Sequence, residues 1–150
     1  MASRAALGFV GLGVMGGEMA RRLLDQGYPI VGYDAVRSKV EQLGEAGLRC
    51  VDSAREVAEA SDVIFASLPN TGALRAAVGG PDGLLAGLGP GKVFVDMSTV
   101  SAEASREIAA EVAAIGAVML DAPVSGSVVT IRQGQLSIMV GGPLEALERV

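Results

Sequence analysis

The stretch from Leu7 to Ala20, Leu-Gly-Phe-Val-Gly-Leu-Gly-Val-Met-Gly-Gly-Glu-Met-Ala, constrains this chain more than any other. An apolar run enters it. A Gly-x-Gly-x-x-Gly turn occupies Gly11, Gly13 and Gly16, and a helical pattern leaves it through Met19, Ala20, Leu23 and Leu24. With 21 glycines in 150 residues, about 0.4 such spacings arise by chance, so the weight rests on the context. Strand, glycine turn and helix in that order are the fingerprint of a dinucleotide-binding βαβ unit. The first glycine permits the tight turn, the second lets backbone approach a pyrophosphate, and the third lets helix and strand pack closely. The helix N-terminus then offers free N–H groups and a partial positive charge to the anion.

The rest of the chain repeats the alternation. Apolar runs predict strands at 5–10, 28–34, 48–51, 62–68, 92–96, 117–121 and 136–140. Helical patterns predict helices at 15–26, 38–46, 53–60, 71–78 and 101–115, one turn near 84–88, and a last helix that starts at Pro143. Ser53 with Glu56 reads as a capping box, Ser101 as an N-cap, and Gly27, Gly47 and Gly116 as helix stops. Strands that are apolar throughout are buried on both faces, which belongs to parallel sheets. The fold class is therefore α/β, a doubly wound parallel sheet of Rossmann type. Ligands bind such sheets at the carboxyl ends of the strands, where Asp34, Pro69, Ser98 and Ser125 fall.

Half of the residues are hydrophobic but only 3% are aromatic, so small aliphatic side chains build the interior. The net charge is −5, the pI is near 4.7, and no basic cluster is interleaved with aromatics, which argues against nucleic acid as a partner. The single cysteine, Cys50, allows no internal disulfide and is expected in the core. The chain has no histidine, which excludes His-based triads and His metal sites, and no metal is expected. No apolar run of about 18 residues is present, so no membrane span is expected. Residues 1–6 are too short for a signal peptide. The expected compartment is reducing and cytoplasmic, with the mitochondrial matrix as the alternative.

Asp34 ends the second predicted strand, about twenty residues beyond Gly13. A carboxylate there accepts hydrogen bonds from an adenosine ribose and repels a 2′-phosphate, so NAD is preferred over NADP. Arg37, just beyond, reaches a 2′-phosphate only if its side chain folds back; otherwise it is a solvated helix residue.

Four separate segments then resemble one family, the β-hydroxyacid dehydrogenases, which include 3-hydroxyisobutyrate dehydrogenase and the glyoxylate and succinic semialdehyde reductases. Gly8-Phe9-Val10-Gly11-Leu12-Gly13-Val14-Met15-Gly16 is similar to the opening signature. Ser67-Leu68-Pro69-Asn70 is similar to the loop that touches the nicotinamide half of the cofactor. Asp96-Met97-Ser98-Thr99 resembles an Asp-x-Ser-Thr segment. Asp121-Ala122-Pro123-Val124-Ser125-Gly126-Ser127 resembles the substrate loop, and Gly134-Gln135-Leu136 with Met139-Val140-Gly141-Gly142 closes the pattern. The resemblance implies that Gly11, Leu12, Gly13, Val14, Met15 and Gly16 lie against the cofactor, that Asp34 holds the ribose, and that Leu68, Pro69, Asn70 and Thr99 sit towards the nicotinamide. It also implies that Ser125, Gly126 and Ser127, with Ser98 close by, hold the carboxylate of a small substrate.

The departures bear on the substrate. Ser127 replaces a second glycine, Ala102 stands where a proline is usual, and Ile131 stands where alanine is common, with bulk that either narrows the substrate side of the cleft or is absorbed by the part outside residues 1–150. The family's catalytic lysine lies in a Gly-x-x-x-Lys-x-x-Asn helix. The lysines here, Lys39 and Lys92, are not in that context, so the catalytic lysine is expected after Val150 and residues 1–150 alone are expected to be inactive. Residues 1–142 are expected to form the dinucleotide-binding domain. Residues 143–150 are expected to start the helix leading to an all-helical domain through which homo-oligomers form. The mean hydropathy of +0.44 fits a surface meant for that domain. Two other readings stay open: a non-catalytic dinucleotide-binding or oligomerisation module, and an imine-reductase-like enzyme.

Overall fold

The apolar runs become strands whose successive side chains serve two cores. A computed structural model describes residues 4–150. The chain begins β1 (Leu7–Val10), α1 (Val14–Asp25), β2 (Ile30–Tyr33), α2 (Arg37–Gly44), β3 (Arg49–Cys50), α3 (Ala54–Ala60) and β4 (Val63–Ala66). It continues α4 (Thr71–Val78), α5 (Leu84–Gly87), β5 (Val93–Asp96), α6 (Ala102–Ala114) and β6 (Val118–Asp121). Six strands form one sheet in the order β3-β2-β1-β4-β5-β6, parallel throughout.

In β5, Phe94 joins one core with Val57, Ile64, Leu74 and Ile108. Its neighbours Val93 and Val95 join the other with Phe9, Met19, Val40 and Leu120. A period of two with both faces apolar leaves no polar side, which is why these strands read as unbroken hydrophobic runs.

The strand order reverses between β1 and β4, and there the carboxyl ends are level. Val10 is paired with Tyr33 and with Ala66, Ala66 with Asp96, and Asp96 with Asp121. The residues that follow this row therefore emerge along one rim. At the amino edge, Lys92 Nζ donates to the carbonyls of Ala58 at 2.7 Å and Ser61 at 2.6 Å. It thereby closes the end of α3.

The segment after β6 differs from expectation. It forms β7 (Val124–Ser125), α7 (Val128–Gln133), β8 (Ser137–Ile138) and α8 (Leu144–Leu147). The expected seventh strand at 136–140 does not extend the parallel sheet: β8 pairs antiparallel with β7 in a separate ribbon, and only Gly141 bridges back to Asp121. The β-branched run Val128-Val129-Thr130-Ile131 conceals α7. The helix forms because Ser127 and Thr130 cap it reciprocally, Gly134 ends it in a left-handed conformation, and Ile131 is buried. Ile131 thus sits in the core, where it lines a cavity together with Met19 and Met97. Cys50 is exposed rather than core, because β3 is a two-residue edge strand. Among the described residues no helix is long and apolar enough to cross a membrane.

Helix α3 crosses β1 closely at Gly8, where an added Cβ meets Ser61 Oγ and lies 2.6 Å from Val57 Cγ1. Gly8→Ala is expected to lower the unfolding free energy by about 1–3 kcal/mol, read as a fall in the urea midpoint. An unchanged midpoint would show that α3 rides on β1 with slack.

Candidate functional site

The rim at the switch point is built around the glycine turn. Gly11 has φ +88°, and an added Cβ there meets the Ser67 carbonyl and lies 2.9 Å from Leu68 Cδ2. A Cβ on Gly16 meets the Gly11 carbonyl. Both glycines are thus required by the fold itself. Gly13 is not. It is the N-cap of α1 with φ −70°, and a Cβ built on it finds nothing nearer than Lys39 Nζ at 3.9 Å. The protein leaves open the space that a side chain would fill. Helix α1 has no side-chain cap and no acid in its first turn, so its first N–H groups and its positive end face that space unopposed.

Asp34 ties the end of β2 to this turn. Its Oδ2 accepts from Leu12 N–H at 2.7 Å and its Oδ1 from Val36 N–H at 2.7 Å. A carboxylate offers about four acceptor directions, so acceptor capacity remains towards the neighbouring cleft. That cleft has a volume of about 340 Å³. Asp34, Tyr33, Gly11, Leu68, Pro69 and the alanines of α4 (Ala73, Ala76 and Ala77) line it. It is apolar and slot-like, with one carboxylate at its rim. A second cleft flanks the turn on the α2 side, with Leu12, Gly13, Val14, Gly17 and Lys39 in its wall. Lys39 borders both clefts, and among the described residues it has no ion-pair partner. No motif marks Lys39 in the sequence. Its signal is its place in the first turn of α2, shortly after Asp34.

Beyond β4 the site depends on a buried chain of polar groups. Leu68 N–H donates to Ser98 Oγ at 2.9 Å, and Ser98 N–H donates to Asp96 Oδ1 at 3.0 Å. Asp96 is 0% exposed and Ser98 3%. Asp96 Oδ2 has no partner among the described residues. Burial pushes the Asp96 carboxyl above the ordinary carboxylate range; the Ser98 hydrogen bonds oppose this, and the neighbouring Asp121 adds to it. Burial also raises Asp121.

The expected site residues divide accordingly. Gly11, Gly13, Gly16, Val14, Asp34, Leu68 and Pro69 come together around the switch point. Leu12 is 4% exposed, with its side chain in the core and its N–H taken by Asp34. Met15 is half-buried against the same core. Asn70 caps α4 by accepting from Ala73 N–H at 2.8 Å. Ser98, expected beside the substrate, is buried, and its hydroxyl braces the Leu68 loop. Thr99 is exposed. Ser125 and Gly126 are exposed at the β7–α7 turn, farther along the rim and outside the Asp34 cleft. At Gly126 an added Cβ meets Thr130 Oγ1 and lies 2.8 Å from Leu136 Cδ1. Ser127 Oγ accepts from Thr130 N–H at 3.4 Å. The hydroxyl that departs from the usual glycine is therefore a helix cap.

Residues 6–150 match the family profile described as the NAD binding domain of 6-phosphogluconate dehydrogenase. Mitochondrial 3-hydroxyisobutyrate dehydrogenase of Mus musculus is 42% identical over 142 residues, covering 95% of this chain and 42% of that protein. A solved structure titled as Mycobacterium tuberculosis 3-hydroxyisobutyrate dehydrogenase with L-serine superposes with a TM-score of 0.90 at 33% identity, covering 97% of this chain and 49% of that one. An imine reductase from Pseudomonas sp. superposes with a TM-score of 0.86 at 23% identity, covering 97% of this chain and 50% of that one, a likeness of fold. The chain spans about half the length of the relatives it matches.

Because the fold does not need Gly13, Gly13→Ala is expected to change stability by less than about 1 kcal/mol. Dinucleotide affinity should fall by about tenfold or more, as read by calorimetry beside a melting curve. Equal affinity would show that the space at Gly13 is not where the phosphates lie. A carboxyl whose pKa is raised on folding stabilises the fold fully while protonated, and that contribution is lost as pH rises through the folded value. On account of Asp96 and Asp121, both raised by burial, stability should therefore decline as pH rises above the ordinary carboxylate range. Asp96→Asn, which keeps an oxygen for Ser98 N–H, should flatten this dependence in urea midpoints. An unchanged slope would show that Asp96 ionises freely.

Proposed function

The chain belongs to the family of the NAD binding domain of 6-phosphogluconate dehydrogenase, and on that premise we propose that it is the cofactor-binding part of an oxidoreductase acting on a small β-hydroxy acid. The reaction passes hydride between NAD(H) and that acid or the matching aldehyde or keto acid. The observation that carries this reading is Gly13, the one glycine of the turn that nothing in the protein crowds. A backbone held bare at the positive end of a helix suits a pyrophosphate.

The roles follow from position. The N–H groups of Val14 and Met15 at the start of α1 receive the pyrophosphate, with Lys39 beside them. The alanine-lined cleft takes the adenine, and Asp34 accepts from the ribose hydroxyls. That carboxylate stands where a 2′-phosphate would have to sit, so NAD is preferred and NADP is the weaker ligand. Leu68, Pro69 and Thr99 form the wall towards the nicotinamide, and the chain Asp96–Ser98–Leu68 holds that wall in place. Ser125 and Gly126 bind the substrate carboxylate through a hydroxyl and backbone N–H groups.

A bound nicotinamide supplies the hydride, and the protein supplies position and polarity. The proton requires a separate acid or base. Lys39 lies at the glycine turn, and Lys92 is fixed at the amino edge. We therefore assign the catalytic lysine, the helical domain and the oligomer contacts to sequence outside residues 1–150. Residues 1–142 then form the cofactor domain, and 143–150 lead out of it. The mitochondrial naming of the mouse relative favours a reducing compartment, the mitochondrial matrix or the cytoplasm. The placement of Lys39 and Lys92 also suits a second reading, a non-catalytic dinucleotide-binding module. Turnover by the full-length protein would remove it.

The test is a titration of the full-length protein with NADH and NADPH beside Asp34→Ala. The wild type should bind NADH more tightly. Asp34→Ala should lose about tenfold or more in NADH affinity and bring the two ligands closer together. Binding of neither by the wild type would overturn the reading, and unchanged NADH affinity in the variant would reduce Asp34 to a structural tie.

A further inference from the structure

Next to the ribose carboxylate lies a charged pocket that the proposed chemistry does not use. It has a volume of about 220 Å³, and its wall includes Asp34, Arg37, Glu41 and Asp52. It shares Tyr33, Asp34 and Ala35 with the adenine cleft, so it opens from the same rim, beside the carboxylate assigned above to the ribose hydroxyls. Arg37 is the sole cation in its wall, set among three acids. Its guanidinium is engaged twice: Nη1 donates to Asp52 Oδ1 at 2.7 Å and Nε to Glu41 Oε1 at 3.3 Å. The two acids come from different elements. Glu41 lies one turn along α2, and Asp52 lies in the loop after β3. Together they hold the guanidinium over the β3 side of the pocket.

We propose that Asp52 and Glu41 are specificity-determining residues, which exclude a 2′-phosphate by keeping the Arg37 guanidinium away from it. The inference rests on the reading that a dinucleotide occupies the Asp34 cleft. A guanidinium is a planar fork of five donors that fits a phosphate with two parallel hydrogen bonds. The residue best suited to NADP recognition is therefore present, but its Nε and one Nη are committed to carboxylates that fix the orientation of the fork. The pocket discriminates in two layers: Asp34 repels the phosphate, and Asp52 with Glu41 withholds the group that would attract it. Neither acid caps a helix, and their side chains are 74% and 65% exposed, so both can be neutralised without disturbing the fold.

The experiment measures NADH and NADPH affinities of the full-length protein in the wild type, in Asp52→Asn with Glu41→Gln, and in that pair with Arg37→Gln added. The double variant should bind NADPH about three- to tenfold more tightly, with NADH affinity within about twofold. NADH should remain the better ligand because Asp34 is intact. Adding Arg37→Gln should abolish the gain. No gain in the double variant, beside a wild type that binds NADH, overturns the inference and leaves the dinucleotide reading standing. A gain that survives removal of Arg37 also overturns it, since the effect would then be the loss of negative charge alone. A wild type that binds neither ligand overturns both.

Discussion

The carboxyl rim of this sheet depends on how closely the chain passes itself between Gly11 and Gly16. With no side chain at either position, α1 leaves β1 with its first turn pressed against the Gly11 carbonyl and the β4 exit at Ser67. That proximity aims the open end of the helix along the switch in strand order. It also brings Leu12 N–H within 2.7 Å of Asp34. One carboxylate thus fixes the turn, the end of β2 and the start of α2 together, since its other oxygen holds Val36 N–H. A hydrogen bond to a charged acceptor contributes about 1.5–3 kcal/mol, so the rim is stiff before any ligand arrives. Preorganisation of this kind lowers what a ligand must order on binding.

The second support of the rim is less comfortable. Asp96 is wholly buried and, among the described residues, leaves one oxygen without a partner. An unsatisfied buried acceptor costs about 1–3 kcal/mol. The arrangement persists because the other oxygen orients Ser98, and Ser98 in turn anchors the Leu68 amide across two strands. An apolar residue at 96 would remove the unpaired oxygen but leave the buried Ser98 N–H without its acceptor and release that loop.

The parallel strands of the sheet were legible because most of them, β3 apart, are apolar on both faces and each glycine stop falls where a helix ends; their order follows only from the pairing. The residues of the glycine turn and its tie were legible where their reason is local: Gly11, Gly13 and Gly16 in one turn, and Asp34 at a strand end. Elements held by tertiary contacts were not. The β-branched run at 128–131 reads as extended until Ser127 caps it and Ile131 finds the core. Cys50 looks apolar in sequence but lies on a two-residue edge strand. Leu12, Asn70, Ser98 and Ser127 carry motif identities, yet their polar groups are engaged within the protein. Lys39 carries no motif, and only the approach of α2 to the glycine turn brings it to the site.

The latch at Lys92 gives the molecule a division of labour. Its ammonium closes the end of α3 at the amino edge, on the far side of the sheet from every residue assigned to ligand. The amino margin thus carries a purely structural tie, whereas at the carboxyl margin Gly11, Gly16 and Asp34 serve the fold and the proposed site together. A substitution at the amino margin is therefore expected to alter stability alone, while one at the carboxyl margin alters stability and ligand binding together.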